Sequence, residues 1–276
     1  MTEKLLSVDD LVVEFPGRRR SEPFRALKGV SLDIRPGETV GLVGESGSGK
    51  TTLGRAILGL APVASGSITF EGRSLTGLGR RERREMGQDI QAVFQDPYTS
   101  LNPAMTIEAI LTEPLGVQGV SRQEARSRVR ELLDAVGMPT DAGGRRPYEF
   151  SGGQRQRIAI ARALALRPKL IVCDEPVSAL DLSTQARVLD LFIDIQRRTG
   201  VAYLFVSHDL MVVRHISHRV AVMYHGDIVE FGDGDDVTRY PSHPYTQKLL
   251  AASPVSDPEE QRVRREARRA LAEAGS

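Results

Sequence analysis

The sequence predicts an α/β fold built on a largely parallel sheet, with a helical segment inserted in its middle. Three observations carry this. Apolar runs of strand length alternate with helically spaced segments, as in "TVGLVG" (39–44) before "TTLGRAILGL". A glycine-rich loop, "GESGSGKT" (44–51), stands between that strand and that helix. A second apolar run, "KLIVCDEP" (169–176), ends in two adjacent acids, Asp174 and Glu175.

The elements follow in order. Residues 5–15 and 26–34 alternate loosely, as strands do, and "RPGE" (35–38) is a turn. After the loop and its helix, "SGSITFEG" (65–72) is a strand between turn signals. The middle changes character. "SRQEARSRVRELLDAVG" (121–137) is a helix in which Ser121 caps the start, Glu124 completes a capping box and Gly137 suits the exit. With 104–118 and 154–166 it makes a helical insert. Residues 184–199 are helical, with Val188, Leu191, Phe192 and Ile195 on one face and Gly200 at the exit. "VAYLFVSHD" (201–209) is a further buried strand, ending in His208. "RVAVMYHGDIVEFG" (219–232) is a hairpin around His225-Gly226-Asp227, and the charged tail from 257 is a frayed helix.

Composition narrows the function. The chain has 276 residues, of which 40% are apolar, enough for a sizeable core. A net charge of +1 gives no global field toward nucleic acid or anionic lipid. The clusters Arg18-Arg19-Arg20 and Arg80, Arg81, Arg83, Arg84 read as solvated surface. The single cysteine, Cys173, excludes a disulfide framework or a cysteine-built zinc site within the chain, and reads as core packing in a reducing compartment. The start, "MTEKLLSVDD", lacks an apolar stretch and is not a signal peptide. No run of about eighteen apolar residues spans a membrane.

The chemistry begins at "GESGSGKT", which fits G-x-x-x-x-G-K-[ST]. Its glycines let backbone N–H groups turn toward phosphate oxygens, and the helix that follows adds its dipole. Lys50 would bridge the β- and γ-phosphates, and the Thr51 hydroxyl would ligate Mg²⁺. Asp174 would hold Mg²⁺ through water, and Glu175, one residue on, would polarise the attacking water. His208, at the end of a further strand-like run, would lie near the γ-phosphate, and Gln95, at the exit of another, could touch both Mg²⁺ and the attacking water. "SGGQ" (151–154) is a second small-residue cradle, which an enzyme with its own phosphate loop would not need.

Taken together, "GESGSGKT", Gln95, "FSGGQRQR", "LIVCDEP", "SALD" (178–181) and His208 occur in the order and spacing of ATP-binding-cassette (ABC) ATPases. The resemblance covers about residues 5–252. "VFQDPYTSLNP" (93–103) and "HPYTQKLLAASP" (243–254) resemble the oligopeptide/dipeptide (and nickel) importer branch. It implies an α/β P-loop NTPase core of ABC type, an N-terminal antiparallel β subdomain and an inserted α-helical subdomain. The cassette would span 5–252, with its core at 5–96 and 167–252 and the helical subdomain at about 97–166. A charged tail, 253–276, would follow.

The resemblance also implies a site. ATP would lie on Gly44, Glu45, Ser46, Gly47, Ser48, Gly49, Lys50, Thr51 and Thr52, with Mg²⁺ held by Thr51, Gln95 and Asp174. Glu175, His208 and Gln95 would be catalytic. Two cassettes would sandwich two ATPs head to tail. Ser151, Gly152, Gly153 and Gln154 of one would then close on the γ-phosphate of the other, with Asp181 at the seam. The implied partners are a second ABC ATPase (a related chain or another copy), two transmembrane permeases and, through them, an extracytoplasmic binding protein, with no nucleic acid. The chain would sit peripherally on the cytoplasmic face of the membrane. The alternative is a non-transport cassette, such as a subunit of a phosphonate-cleaving lyase complex. The sequence also departs from the family. Phe150 replaces the usual Leu before the cradle. The adenine-stacking aromatic is Phe15, with Phe24 its rival. No cysteine follows 173, so the iron–sulfur segment seen in some members of the branch is absent.

Overall fold

The computed structural model describes residues 3–17, 23–96 and 100–252. The tail from 253, Arg18-Arg19-Arg20 and residues 97–99 of "QDPYTSLNP" lie outside the described residues. In chain order the elements open with β1 (Leu6–Phe15), β2 (Phe24–Ile34), β3 (Thr39–Val43), α1 (Lys50–Ile57), β4 (Ser65–Phe70) and β5 (Arg73–Ser74). Next come α2 (Arg80–Asp89), β6 (Ile90–Val93), α3 (Ile107–Val117), α4 (Arg122–Ala135), α5 (Gly152–Leu164), β7 (Leu170–Asp174) and α6 (Leu182–Thr199). The last are β8 (Ala202–Ser207), α7 (Leu210–Ile216), β9 (Arg219–Tyr224), β10 (Asp227–Asp233), α8 (Gly234–Arg239) and α9 (Pro244–Ala252). The chain forms two compact units.

One unit holds Gly77–Leu204 with Ile34–Glu38 and the start of the chain. In it β6 runs parallel to β7, pairing Ile90 with Leu170 and Val93 with Cys173, and the beginning of β8 follows beyond β7. Among the described residues, the regular elements between β6 and β7 are helices joined by loops. Helix α4 starts at Ser121, whose Oγ accepts the Glu124 N–H at 3.3 Å. This is half of the expected box. Gly137 closes the exit at φ 65°. Helix α6 buries Val188, Leu189, Phe192 and Ile195. Leu189 is buried where Leu191 was expected and Leu191 is only half-buried, so the buried stripe is rotated about the helix axis toward Leu189. Phe192 meets the fully buried Tyr203 edge-on, ring centroids 5.4 Å apart.

The other unit holds the described residues of Leu6–Asp33, Thr39–Thr76 and 205–252. A four-stranded sheet runs β2-β1-β4-β5, with β1 and β4 antiparallel. A second sheet places β3 parallel to β9, Val40 opposite Arg219, with β10 hairpinned onto β9 through His225 and Gly226. Both turn residues have positive φ, 48° and 89°, which suits a tight hairpin turn. Apolar side chains of β3, β9, α7 and α8 form one core with Tyr245: Val43, Val220, Val222, Leu210, Val213 and Val237. Helix α7 packs closely on β3 because Gly41 has no side chain. A Cβ there would lie 2.2 Å from Val213 Cγ1 and 2.4 Å from Ser217 Oγ. Replacing Gly41 by Ala should therefore lower stability by about 1–3 kcal/mol. Denaturant unfolding checks this, and an unchanged midpoint would contradict the packing described.

Candidate functional site

The phosphate-loop sequence folds around its own lysine. Strand β3 ends at Val43, and the chain then curls through Gly44–Gly49 into α1. Lys50, the first residue of α1, is 4% exposed, and its Nζ donates to Gly44 O at 2.7 Å and to Glu45 O at 2.9 Å. The Ser48 N–H also donates to Glu45 O, at 3.2 Å, which closes the curl. The loop is backed on one side by the β9–β10 turn, where Gly226 N–H donates to Ser48 O at 2.8 Å. Two glycines are forced by backbone oxygens that crowd the loop. A Cβ at Gly44 would sit 2.1 Å from Met223 O. Gly49, at φ 113°, would press a Cβ within 3.0 Å of Ala26 O.

Several features suit an anion. Helix α1 has no side-chain cap and no acid in its first turn, so its positive end is uncompensated by carboxylates of its own. Ser48 Oγ is buried without a hydrogen-bond partner. Nothing lies within 4 Å of where a Cβ of Gly47 would be, so the loop's crest is open. A polyphosphate on that crest would find backbone N–H groups, a hydroxyl and an ammonium together.

In the same unit His208 follows β8 as an exposed residue. Phe15 ends β1 and Phe24 begins β2, and both rings are exposed, at 36% and 66%. Glu14 and Arg25 pair across these strands at 2.9 Å, which puts Phe15 and Phe24 at the same end of the sheet. The geometry gives neither aromatic precedence for stacking on adenine.

The other unit carries the acids and the second cradle. Strand β7 ends at the half-buried Asp174, and Glu175 follows with φ 49°, a left-handed conformation that costs a carboxylic residue energy. Ser178 holds it there: its N–H and Oγ reach Glu175 O at 3.3 and 3.0 Å. Cys173, one residue before Asp174, is fully buried; burial and the Asp174 charge push its thiol pKa up, as core packing requires. Gln95 is exposed just beyond β6.

Ser151 and Gln154 form a complete capping box at the head of α5. Gln154 N–H donates to Ser151 Oγ at 3.3 Å, and Ser151 N–H donates to Gln154 Oε1 at 2.9 Å. The Ser151 N–H is thus engaged within the chain. The Ser151 hydroxyl hydrogen and the Gly152 and Gly153 amides, which have no acceptor inside the helix, are the donors this cradle can offer. Gly153 also has a reason of its own to be glycine: a Cβ would meet Thr184 Cγ2 of α6 at 2.3 Å. Asp181 caps α6, its Oδ1 accepting the Thr184 N–H at 3.0 Å and the Ser183 hydroxyl at 2.7 Å. The Ser183 hydroxyl first, and then the Thr184 N–H, hold its carboxyl below the usual carboxylate range.

Sequence reasoning missed Ser178, Thr184 and Tyr245. Ser178 stands inside "SALD" but was given no role, Thr184 follows that motif by three residues, and Tyr245 stands in "HPYT", quoted above only as a branch signature. Gly153→Ala should destabilise the cassette through Thr184, and Thr184→Ser, which removes the offending methyl, should recover most of the loss in the double variant. Chemical denaturation of the four proteins checks the coupling. Strict additivity would contradict it.

A strand, a glycine-rich loop and a helix whose first residue is a lysine held by the loop's own carbonyls define a P-loop α/β protein. Comparison with known proteins narrows this. Residues 27–178, more than half of the chain, match the ABC transporter family, and residues 229–275 match the oligopeptide/dipeptide transporter C-terminal region. The chain belongs to the ABC transporter family.

It is 51% identical over 262 residues to the glutathione import ATP-binding protein GsiA of Pectobacterium atrosepticum, covering 93% of this chain and 42% of that protein. It is also 51% identical over 269 residues to GsiA of Escherichia coli (strain K12), covering 95% of this chain and 43% of that protein. The chain thus spans less than half the length of the curated relatives it matches. Among solved structures it resembles the dimeric ATP-binding cassette MJ0796 in a post-hydrolysis state bound to ADP and Pi. The TM-score is 0.74, with 30% identity, over 83% of this chain and 98% of that one. It also resembles cbiO1 from Clostridium perfringens, part of the ABC transporter complex cbiONQ, with a TM-score of 0.76 and 26% identity over 90% and 95% of the two chains.

Proposed function

We propose that this chain binds and hydrolyses ATP to drive a peptide-type importer. The observation that carries the proposal is the loop 44–51 wrapped on Lys50 at the head of α1, in a chain whose residues 229–275 match an oligopeptide/dipeptide transporter region. The relatives' name makes glutathione the first substrate to test. A lyase-type cassette has no comparable observation in its favour.

The residues divide the work as follows. Loop amides and Lys50 take the phosphates, with Ser46, Ser48 and Thr52 lining or following the loop. Thr51, Gln95 and Asp174 offer oxygen donors of the kind Mg²⁺ takes. Among the described residues no three His, Cys, Asp or Glu groups gather as a metal cage, and a Mg²⁺ that shares the nucleotide's phosphates needs none. Bound there, the ion would neutralise phosphate charge. Glu175 accepts a proton from the attacking water as its oxygen bonds to the γ-phosphorus and the bond to the β-phosphate oxygen breaks. His208 and Gln95 orient that water and the γ-phosphate. Ser151, Gly152 and Gly153 serve the ATP of a second cassette, so that ATP binding draws two cassettes together and hydrolysis releases them.

Permeases would convert that cycle into transport. Among the described residues no helix is long and apolar enough to cross a membrane. The chain's membrane role would therefore run through those partners, on the cytoplasmic face.

Two variants separate binding from turnover. Lys50→Ala should weaken ATP binding, whereas Glu175→Gln should bind ATP and lose roughly 100-fold or more in turnover. Equilibrium nucleotide binding and phosphate release, measured on each, check this. Near-normal turnover in Glu175→Gln would remove Glu175 from the role of base.

A further inference from the structure

The segment that carries "HPYT" is pinned at its start and reaches into the phosphate loop. Glu230 of β10 accepts from Ser242 N–H at 2.7 Å, Ser242 Oγ at 2.8 Å and His243 N–H at 3.2 Å. His243 Nδ1 accepts the Tyr245 N–H at 3.1 Å, which sets the first turn of α9. Tyr245 is 8% exposed and lies against Tyr224, the last residue of β9, with ring centroids 4.1 Å apart. Its hydroxyl accepts the N–H of Glu45 at 3.0 Å.

That N–H belongs to the peptide unit joining Gly44 to Glu45. The oxygen of the same unit, Gly44 O, accepts from Lys50 Nζ at 2.7 Å. A peptide unit is planar, so its N–H and C=O turn together. Gly44 must be glycine, since Met223 O leaves no room for a Cβ, and glycine alone restrains the unit weakly. A hydroxyl that fixes the N–H therefore fixes the carbonyl, and with it an oxygen that helps aim the ammonium.

We infer that Tyr245 is a positioning residue for phosphate binding: by holding the Gly44–Glu45 peptide it aims Lys50, and so ties the C-terminal segment 242–252 to nucleotide affinity. Its ligand is the polyphosphate of the nucleotide, and the inference rests on the assignment of 44–51 as the phosphate site. Undocking of the segment would loosen the loop from behind without touching the phosphates.

Tyr245→Phe tests this in the full chain, because it keeps the ring against Tyr224 and removes only the hydroxyl. Three quantities are read: amide hydrogen exchange at Glu45 without nucleotide, ADP affinity and thermal unfolding. Exchange at Glu45 should quicken and ADP affinity fall about fivefold, with the melting temperature moved by only a few degrees. In a Lys50→Ala background the same change should cost no further affinity, since Tyr245 acts through Lys50. A full additional fivefold loss there, or unchanged exchange and affinity in the single variant, would overturn the inference. If Lys50→Ala alone left ADP affinity intact, the phosphate assignment would fall, while exchange at Glu45 would still decide whether Tyr245 braces the loop.

Discussion

A buried ammonium at the positive end of a helix is the constraint on which the candidate site depends. Lys50 is the first residue of α1 and is almost wholly withdrawn from water. Burying a charge is unfavourable unless polar groups surround it, and the helix field repels a cation at this end. The carbonyls of Gly44 and Glu45 turn inward to offset that cost. Turning them inward shapes the loop, presents its crest to an anion and requires glycine where Met223 O crowds in. The same loop then needs bracing from outside, which the β9–β10 turn and Tyr245 supply.

What the sequence made legible follows from periodicity and turn chemistry. The parallel strands are continuous apolar runs, the helix after Ser121 announces its cap, and the His225-Gly226 turn is explicit in its residue types. Less legible were features set by contacts distant in sequence. Leu189 rather than Leu191 faces the core of α6, a rotation that neighbours decide and spacing does not. Gly153 reads as room for a phosphate, yet Thr184, thirty-one residues on, claims that space within the chain. Tyr245 lies 200 positions from Glu45, and no local signal joins them.

If the second cradle serves a partner's phosphate as proposed, its local order has already prepared it. Its capping box keeps Ser151 and Gln154 occupied with each other, which fixes the helix start and leaves the glycine amides facing outward along the axis. Asp181, through its cap on the Thr184 N–H, fixes the start of α6 against which Gly153 packs. A cradle preorganised in this way can close on a phosphate without first having to fold around it.

The loop built on Lys50 should recognise a polyphosphate. Calorimetric titration of the full chain with ATP, ADP and AMP in the presence of magnesium tests it most directly. The account predicts that ATP and ADP bind and that AMP, which lacks the phosphates the loop grips, binds about a hundredfold more weakly, as expected when two or so charge-assisted hydrogen bonds are lost. Equal binding of AMP and ATP would contradict it.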